Sequence, residues 1–332
     1  MWHVGIDLHR RSVVVAMVSD DGQSIRPRRF KCSEAGEVVE YLSAHSPFRA
    51  VIEASSSYRW LYDLLSEHGE VVLAHPLRLR AIWSGRAKTD AKDSEELAKL
   101  LRAGMIPASY VPPARYQALR ELTRARARLV MERTQVGNGL HAMLGRVNVE
   151  SPFTNTLGPR GRRWISSVRM DEAAGSVRDE HVERLEYYEQ AIKRADERLA
   201  AVAGGFPETE ALTAMYGIGL YSALLIVAEI GEPWRFDSAE QVGAYTGLTS
   251  RVKQSGETEH RGAISKQGSR WLRWILVEAA MKVVRKDDFL RRFYERIRKR
   301  SGWRRARVAV ARKLAEVCWK RLCRWHEEQE AA

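Results

Sequence analysis

Short apolar runs separated by polar breaks occupy the first hundred residues. WHVGID, SVVVAMV, SIRPRRF, RAVIE and VVLAHP each have the length of a strand. Helical spacing of apolar residues occurs near 34–45 and 58–68, and again from Asp90 onward. The pattern therefore predicts the element order β-β-β-α-β-α-β-α over residues 1–105.

Four acidic residues lie at the ends of these predicted elements. Asp7 and Glu53 each close an apolar run, whereas Asp90 and Asp93 are three residues apart at the start of a helical segment and so share one helix face. Carboxylates in this arrangement can converge on hard divalent cations, which take oxygen ligands, and paired cations suit phosphoryl transfer. Taken singly, each acid also fits a turn cap, a solvated strand end or a helix N-terminal charge.

The order of the elements favours the shared site. It is the order of a ribonuclease H-like domain, an α/β fold in which the first and fourth strands lie side by side. Asp7 and Glu53, which end those two strands, are therefore expected to be neighbours. We also expect Asp90 and Asp93 to converge on them from the helix that follows the sheet.

The rest of the chain is predicted to be mainly helical. The proline-containing segment MIPASYVPPARY marks a linker, and helical patterns follow at 117–144 and about 179–202, with a loop, ESPFTNTLGPRGRR, between them. The two helical stretches can pair as an antiparallel hairpin or coiled coil, serving as a dimerisation arm, a nucleic-acid clamp or a plain connector. The expected domains are 1–105, a helical linker or coiled-coil region at 106–205, and a third domain at 206–332.

The third domain begins with a glycine-containing turn between two apolar segments, ALTAMYGIGLYSALLIVAEIG. Gly217 and Gly219 permit a tight turn, as in a helix-hairpin-helix, and the N–H groups at the next helix start can hold a phosphate without reading sequence. An ordinary helical corner fits the same residues. Asp237 or Ser238 is expected to cap the following helix, which runs through Tyr245.

A polar, glycine-containing stretch from Thr249 to Ile264 is predicted to be a loop, with a new helix starting near 265–269. The tetrapeptide QSGE lies in this stretch, and a serine there could be an exposed nucleophile. From the chemistry alone, Ser250 and Ser265 are close rivals of Ser255. The neighbouring side chains suited to holding a phosphate are Arg251, Lys253, Arg261 and Lys266.

The net charge of +13 is concentrated near the C-terminus. Residues 285–324 contain 16 basic and 4 acidic side chains, with aromatic residues interleaved. Such one-sided charge predicts binding to a polyanion, here double-stranded DNA, because the partner's phosphates offset the self-repulsion. Arg296, Arg300 and Arg304 are the contacts expected there. The alternative is an amphipathic helix with a solvated basic face.

Composition excludes several classes of protein. Hydrophobic residues make up 45% and charged residues 29% of the 332, which is typical of a soluble globular protein. We expect no membrane span, because no apolar run reaches about 18 residues, and no signal peptide, because the chain begins directly with a strand. Cys32, Cys318 and Cys323 imply no disulfide framework and fit a reducing cytoplasm. A zinc site with His326 lacks a fourth ligand, so buried thiols are expected instead.

The two halves together resemble a known family. The segments GIDLHRRSVVVAMV, IEASSSYRWLYDLLSEHG and HPLRLRAIWSGRAKTDAKDSEELAKLL lie in the first half. The segments MYGIGLYSALLIVAEIG and AYTGLTSRVKQSGETEHRGAISKQGSRWLRWILVEAA lie in the second. In this order they look like the DEDD-type insertion-sequence transposases, a family that includes the Piv-like DNA invertases. The resemblance spans about residues 3–285.

The resemblance implies a RuvC-type domain whose four acidic residues are Asp7, Glu53, Asp90 and Asp93, with Mg²⁺ (or Mn²⁺) as the cofactor. It also implies that Ser255 forms a covalent phosphoserine with DNA. The surrounding signature matches Gly256, Gly262, Ser265, Lys266 and Gly268. Several such proteins are guided by an RNA from their own element, and they are thought to act as tetramers in which the acids of one subunit meet the serine of another. We therefore expect a guide RNA and a homo-oligomer, dimer to tetramer, as partners.

Other functions fit part of the sequence. A metal-dependent nuclease of the junction-resolving type would use the acids and water alone, and a DNA invertase would work without a guide RNA. An actin-like or sugar-kinase ATPase shares the first hairpin of strands, but it needs a duplicated domain of which the sequence has no second copy. A purely architectural DNA binder does not explain four acids in a basic protein, because carboxylates repel DNA unless a metal intervenes.

Overall fold

The structure is a computed structural model that describes residues 1–82, 89–255 and 258–331. At 252–255 and 258–261 it describes the backbone alone. The chain forms two compact units, Met1–Val111 and Pro112–Ala332. The predicted mixed α/β first part and mainly helical remainder are confirmed, while the three-part division of the chain stays a prediction. Within the described ranges, no helix is both long and apolar enough to span a bilayer.

The first unit contains a five-stranded sheet. Its strands are β1 (Trp2–Leu8), β2 (Ser12–Ser19), β3 (Ser24–Lys31), β4 (Phe48–Glu53) and β5 (Glu70–Ala74). Their order is β3-β2-β1-β4-β5, antiparallel from β3 to β1 and parallel from β1 to β5. β1 and β4 are neighbours, as predicted, with Ile6 opposite Ile52. Asp7 and Glu53 each follow this pair by one residue and therefore lie at the same edge of the sheet.

Helices cover both faces of this sheet. They are α1 (Ala35–Ser43), α2 (Arg59–Ser66), α3 (Pro76–Ile82) and α4 (Asp90–Arg102). The predicted element series is present, with α3 as an addition. Since side chains alternate across a strand, Ile6 and Ile52 enter one core, while Val51 enters the opposite core with Leu97 of α4. Asp7 and Glu53 lie on the face that α4 covers.

Gly5 lets α4 pack directly on β1. A Cβ atom at Gly5 would lie 1.9 Å from the Ser94 carbonyl oxygen and 2.5 Å from the Ala98 nitrogen. Only glycine therefore allows this close approach of helix and strand. Thr89 caps α4 by accepting a hydrogen bond from the Lys92 N–H at 3.3 Å. The packing and the cap together fix the first turn of α4 beside the end of β1.

The second unit is built mainly from helices. They are α5 (Ala114–Arg146), α6 (Pro159–Ser167), α7 (Glu172–Val202), α8 (Glu210–Thr213), α9 (Leu220–Ile230), α10 (Ala239–Tyr245), α11 (Arg270–Val283) and α12 (Asp288–Glu330). Between α10 and α11, β6 (Ser250–Ser255) and β7 (Thr258–Ile264) pair antiparallel. Ser238 caps α10, as predicted, by accepting a hydrogen bond from the Gln241 N–H.

The helices α5 and α7 form the predicted antiparallel hairpin. Arg126 of α5 binds Asp196 of α7 through two hydrogen bonds of 2.9 and 3.2 Å. Further along α5, Gly139 lies close to His181, which comes earlier in α7, so the two helices run antiparallel. The distal part of the hairpin has its own core, separate from the main one. Its buried members are Val136, Leu140, Leu144, Ile165, Val168, Val182 and Leu185.

Two predictions of loops are corrected by the structure. The stretch Thr249–Ile264 is largely a strand hairpin, because a ladder of backbone hydrogen bonds can hold two polar strands that lack apolar alternation. The expected loop after α5 becomes helical at Pro159, where proline occupies the first turn and loses no helical hydrogen bond.

The basic C-terminal segment is part of the main core rather than an appended tail. Leu290, Val310 and Leu314 of α12 are completely buried with residues of α5, α9 and α11. Gly302 interrupts α12 with a φ of +80°, a conformation that glycine adopts without strain. Cys318 is buried, as expected, whereas Cys32 and Cys323 are partly exposed.

Candidate active site

Asp7, His9 and Asp90 form a tight cluster beyond the end of β1. The His9 Nε2 atom lies 3.0 Å from Asp7 Oδ2 and 3.2 Å from Asp90 Oδ1. One ligand atom from each residue lies within 4.8 Å of the others. β1 contributes Asp7, the residue that follows the strand contributes His9, and the first turn of α4 contributes Asp90. Sequence analysis predicted the two acids but missed His9.

Arg29 of β3 holds Asp90 from the other side. Its Nη2 atom lies 2.5 Å from Asp90 Oδ2, and its Nη1 atom donates to Ser12 Oγ at 2.8 Å. Asp90 is therefore contacted by Arg29 of β3 and by His9, which follows β1. No local pattern could have identified this contact, because Arg29 and Asp90 are 61 residues apart.

The two carboxylates have opposite electrostatic environments. Burial raises the pKa of Asp7 above its usual value; His9 opposes this, and the nearby charges of Asp90 and Asp93 add to it. The hydrogen bond from Arg29 lowers the pKa of Asp90, with His9 contributing in the same direction. Negative charge at Asp7 is thus incompletely balanced by the protein.

Glu53 and Asp93 flank this cluster without belonging to its tightest group. Glu53 is the last residue of β4, the strand that pairs with β1, and its side chain is half-buried. Asp93 is half-buried in the first turn of α4, one helical turn after Asp90. We call these four acids, Asp7, Glu53, Asp90 and Asp93, the acidic edge.

The donor set of the acidic edge fits a divalent cation. Asp7 and Asp90 present carboxylate oxygens within a few ångströms of each other, and the half-buried charge of Asp7 lacks a lysine or arginine partner among the described residues. Hard cations such as Mg²⁺ prefer such oxygens and usually bind through one or two carboxylates. Arg29 supplies positive charge to Asp90, and His9 lies within hydrogen-bond distance of both carboxylates.

The predicted serine lies at the end of the strand hairpin in the second unit. Ser255 is the last residue of β6 and pairs with Thr258 of β7. Its side chain and those of Lys253 and Arg261 lie outside the described residues, as does Gly256 entirely. The structure therefore locates the backbone of Ser255 but not its hydroxyl.

The segment after the hairpin is locked to the end of α10. The Ser265 N–H donates to the Thr249 carbonyl at 2.7 Å, and the Lys266 N–H donates to the Gly247 carbonyl at 3.0 Å. Lys266 has a φ of +56° and Gly268 a φ of +107°. A Cβ atom on Gly268 would lie 1.9 Å from the Tyr245 carbonyl oxygen. These signature residues thus form a tight turn that supports the base of the hairpin.

A buried polar network continues from this turn into the core. Glu229 is fully buried and accepts two hydrogen bonds from Arg124, at 2.7 and 2.9 Å. It also accepts one from Ser269 Oγ at 2.8 Å. Ser269 in turn caps α11 by accepting from the Leu272 N–H. The network ties α5, α9 and α11 together, and its member Ser269 directly follows Gly268 of the turn at the base of the hairpin. Sequence analysis did not identify it.

The remaining candidate nucleic-acid contacts lie elsewhere in the second unit. Gly217, with a φ of +90°, packs against Lys282 and Val283, and Gly219 immediately precedes α9. Helix α8 before this turn has only 4 residues, so the helix-hairpin-helix stays a prediction. The arginines are exposed on the surface, namely Arg251, Arg296, Arg300 and Arg304.

Comparison with known proteins gives consistent matches across both units. Residues 4–149 match a transposase family profile of the DEDD type, IS110, and residues 209–295 match the profile "Transposase IS116/IS110/IS902 family".

Individual relatives match nearly the whole chain. "Putative transposase y4qE" of Sinorhizobium fredii is 29% identical over 96% of this chain and 78% of its own length. "Probable family 20 transposase" of Pseudomonas aeruginosa is 28% identical over 97% and 96%, respectively. "Transposase for insertion sequence element IS1111A" of Coxiella burnetii is 25% identical over 97% and 89%.

Proposed function

The chain belongs to the DEDD-type insertion-sequence transposases, and we propose that it cuts and rejoins DNA with a RuvC-type, ribonuclease H-like acidic site and a serine nucleophile. The observation that carries the proposal is the meeting of Asp7 and Asp90, from β1 and α4, with Glu53 in the adjacent strand. The strand order β3-β2-β1-β4-β5 supports the ribonuclease H-like assignment.

The acidic edge would hold Mg²⁺ or Mn²⁺ through Asp7, Glu53, Asp90 and Asp93. When bound, such ions polarise a scissile phosphate and offset the charge that develops on it. Arg29 and His9 keep Asp90 oriented toward Asp7. His9 contacts Oδ2 of Asp7, and each Asp90 oxygen has one partner, so further lone pairs on both carboxylates remain for a cation.

Ser255 would attack the scissile phosphorus. The serine Oγ–P bond forms while the P–O bond to the departing strand end breaks, and the serine proton ends on the released hydroxyl. The reverse attack by a new strand end reseals DNA without an external energy source. Arg251, Lys253 and Lys266 would hold the phosphate beside the serine.

The partners of this reaction follow from the same family assignment. The substrate is double-stranded DNA in the cytoplasm, with a guide RNA from the same element and a homo-oligomer of dimer to tetramer size. Arg296, Arg300 and Arg304 would contact the nucleic-acid backbone, and the turn at Gly217 and Gly219 would add a phosphate contact through the start of α9. The proposed domains remain 1–105, 106–205 and 206–332.

Covalent trapping tests the proposal. The full-length protein is incubated with Mg²⁺ and a suicide DNA substrate whose cleaved end diffuses away, and the adduct is digested and mapped by mass spectrometry. We expect phosphoserine at Ser255. Ser255→Ala should abolish the adduct but leave DNA binding intact, whereas the matched variants Ser250→Ala and Ser265→Ala should still form it.

Cleavage that survives in Ser255→Ala would replace this mechanism with that of a metal-dependent nuclease using water. A subunit-mixing experiment adds a second readout. If acids and serine act from different subunits, Asp7→Ala and Ser255→Ala proteins should recover partial activity when combined. Recovery only in the presence of an RNA from the flanking DNA would distinguish a guided transposase from an invertase.

A further inference from the structure

A cleft of about 1000 Å³ lies between the base of the strand hairpin and α12. It follows the bend that Gly302 introduces into the helix. Ser250, Gly262 and Ala263 of the hairpin line one wall. The opposite wall belongs to α12 on both sides of the bend. We call this feature the basic cleft.

The α12 wall carries arginines without acidic partners. Arg300, Arg304 and Arg305 line the cleft and are exposed. Among the described residues, no carboxylate lies within ion-pair distance of these three side chains. By contrast, Arg312 and Lys313, further along the same wall, bind Glu316 at 3.5 and 2.7 Å. Along the described lining of the cleft, positive charge is therefore unbalanced near the bend.

The bend makes this charge less favourable still. Residues after Gly302 start a new helical segment, so Arg304 and Arg305 lie in its first turn. The N-terminus of a helix carries partial positive charge, and cations there are destabilising. Phosphate oxygens bound here would offset the repulsion among the arginines. They would also offset the repulsion between the arginines and the positive end of the helix.

The floor of the cleft is apolar. Ile264, Phe293, Ile297 and Val308 line it. Trp303 does not line the cleft but precedes the lining residue Arg304; it is 56% exposed, and the Arg304 guanidinium lies over its ring at 5.4 Å from the centroid. A ligand that combines anionic groups with apolar faces would match both the arginines and this floor, while the lining carboxylates Glu240 and Glu316 lie on the part of the wall near Arg312 and Lys313.

We infer that the basic cleft binds a single-stranded segment of nucleic acid. A single strand offers phosphates to the arginines and unstacked bases to Phe293, Trp303 and the aliphatic floor. In a duplex, the base faces are stacked within the helix, so it presents phosphates and groove edges but nothing for the apolar floor. The inference deepens the proposed function, because it gives the strand beside the serine hairpin its own holding surface.

Equilibrium binding in excess chelator tests this inference without cleavage. Three labelled probes are used: oligothymidylate, oligouridylate of equal length and a stable DNA hairpin duplex. Their binding is measured by fluorescence anisotropy. We expect the triple variant Arg300→Ala, Arg304→Ala, Arg305→Ala to bind the single strands at least tenfold more weakly. Its log–log salt slope should fall by about 2, since each single-strand phosphate contact contributes roughly 0.7.

The matched control removes the same charge from the same helix outside the cleft. Arg291→Ala, Arg292→Ala and Arg298→Ala are exposed substitutions, and Arg291 and Arg298 already have acidic partners. This control should weaken single-strand binding less than threefold. Equal losses in the two triple variants would overturn the inference, because they would indicate charge alone.

Aromatic substitutions separate single-strand from duplex binding. Trp303→Ala and the packing-conservative Phe293→Leu should weaken single-strand binding about fivefold or more, and leave duplex binding within twofold. If the cleft substitutions weaken the binding of oligothymidylate alone, the bound strand is DNA. If they weaken the binding of oligouridylate alone, it is RNA. An equal effect on the duplex would refute a single-strand site. Since no cleavage is measured, failure here leaves the Ser255 adduct test unaffected.

Discussion

The acidic edge and the basic cleft both concentrate unbalanced charge, but the fold constructs them differently. The acidic edge combines residues from β1, β4 and α4, with Arg29 from β3, so its partners are distant in sequence. The charges of the basic cleft lie within six consecutive residues of one bent helix, 300–305. Metal chemistry requires fixed distances, which only packed elements provide, whereas a flexible backbone of phosphates can be held by long mobile arginines.

The largest expected effect is on chemistry at the acidic edge. Asp90→Asn should lower metal-dependent DNA cleavage about hundredfold or more, because an amide is a poor ligand for a hard cation and the lost charge stabilisation amounts to several kcal/mol. Asp63→Asn is the control, since this exposed acid pairs with Arg59 on α2. Cleavage rates are measured with titrated Mg²⁺, and full activity in excess chelator would contradict a metal site.

The next-largest effect is on the stability of the second unit, through the buried network around Glu229. Glu229→Gln should lower the free energy of unfolding by about 3–5 kcal/mol, because it leaves Arg124 without its charged partner in a buried site. Denaturant titration of the full chain measures this. Glu278→Gln, which disrupts an exposed pair with Arg307, should cost less than about 1 kcal/mol. Similar losses in both variants would show that the buried network has no special role.

A smaller effect is expected where α4 approaches β1. Gly5→Ala should destabilise the protein by about 1–3 kcal/mol, because the added methyl overlaps the backbone of α4. Gly36→Ala provides the opposite case, since Gly36 lies in α1 with open space around it and alanine favours a helix. If metal affinity of Gly5→Ala stays at the wild-type value, the contact does not position Asp90.

The smallest expected effect is on the melting temperature of a variant at Asp7. It tests whether the Asp7 carboxylate serves function at a cost in stability. The raised pKa of Asp7 means that its ionised form is disfavoured in the folded protein, so stability falls as pH rises past the pKa of the unfolded chain. Asp7→Asn should therefore raise the melting temperature at neutral pH by about 1–3 °C while losing activity.

Asp20 gives the contrasting case. Hydrogen bonds from the N-terminal amine and His3 lower its pKa, so its charge stabilises the fold above the unfolded pKa and Asp20→Asn should lower the melting temperature. Calorimetry of both variants without added metal makes the comparison. Parallel shifts would remove the distinction between the two acids.

Sequence reasoning located the strands of the first unit well because their apolar runs are short and clearly bounded. The neighbouring positions of Asp7 and Glu53 then followed from the order of elements. His9 could have been proposed from its position two residues after Asp7, just beyond the end of the predicted first strand. Arg29 could not, because its contact with Asp90 depends on how β3 and α4 meet in space.

The second unit was harder to predict for a different reason. The residues of β6 and β7 lack the apolar alternation of a half-buried strand, and their pairing depends on backbone hydrogen bonds that have no side-chain signature. The buried network at Glu229 was also missed, because a single acid in the apolar run of α9 indicates nothing about an arginine 105 residues away. Positions of charge were predictable, whereas their partners were not.

The separate core at the distal part of the α5–α7 hairpin has a dynamic consequence. That core shares no buried residue with the main one, and only the two helices continue between them. We therefore expect weak cooperativity between the two regions, with the distal part opening as a local folding unit while the main core stays closed. Amide protons around Ile165 and Leu185 should then exchange with solvent faster than those of α9, even though both sets are equally buried.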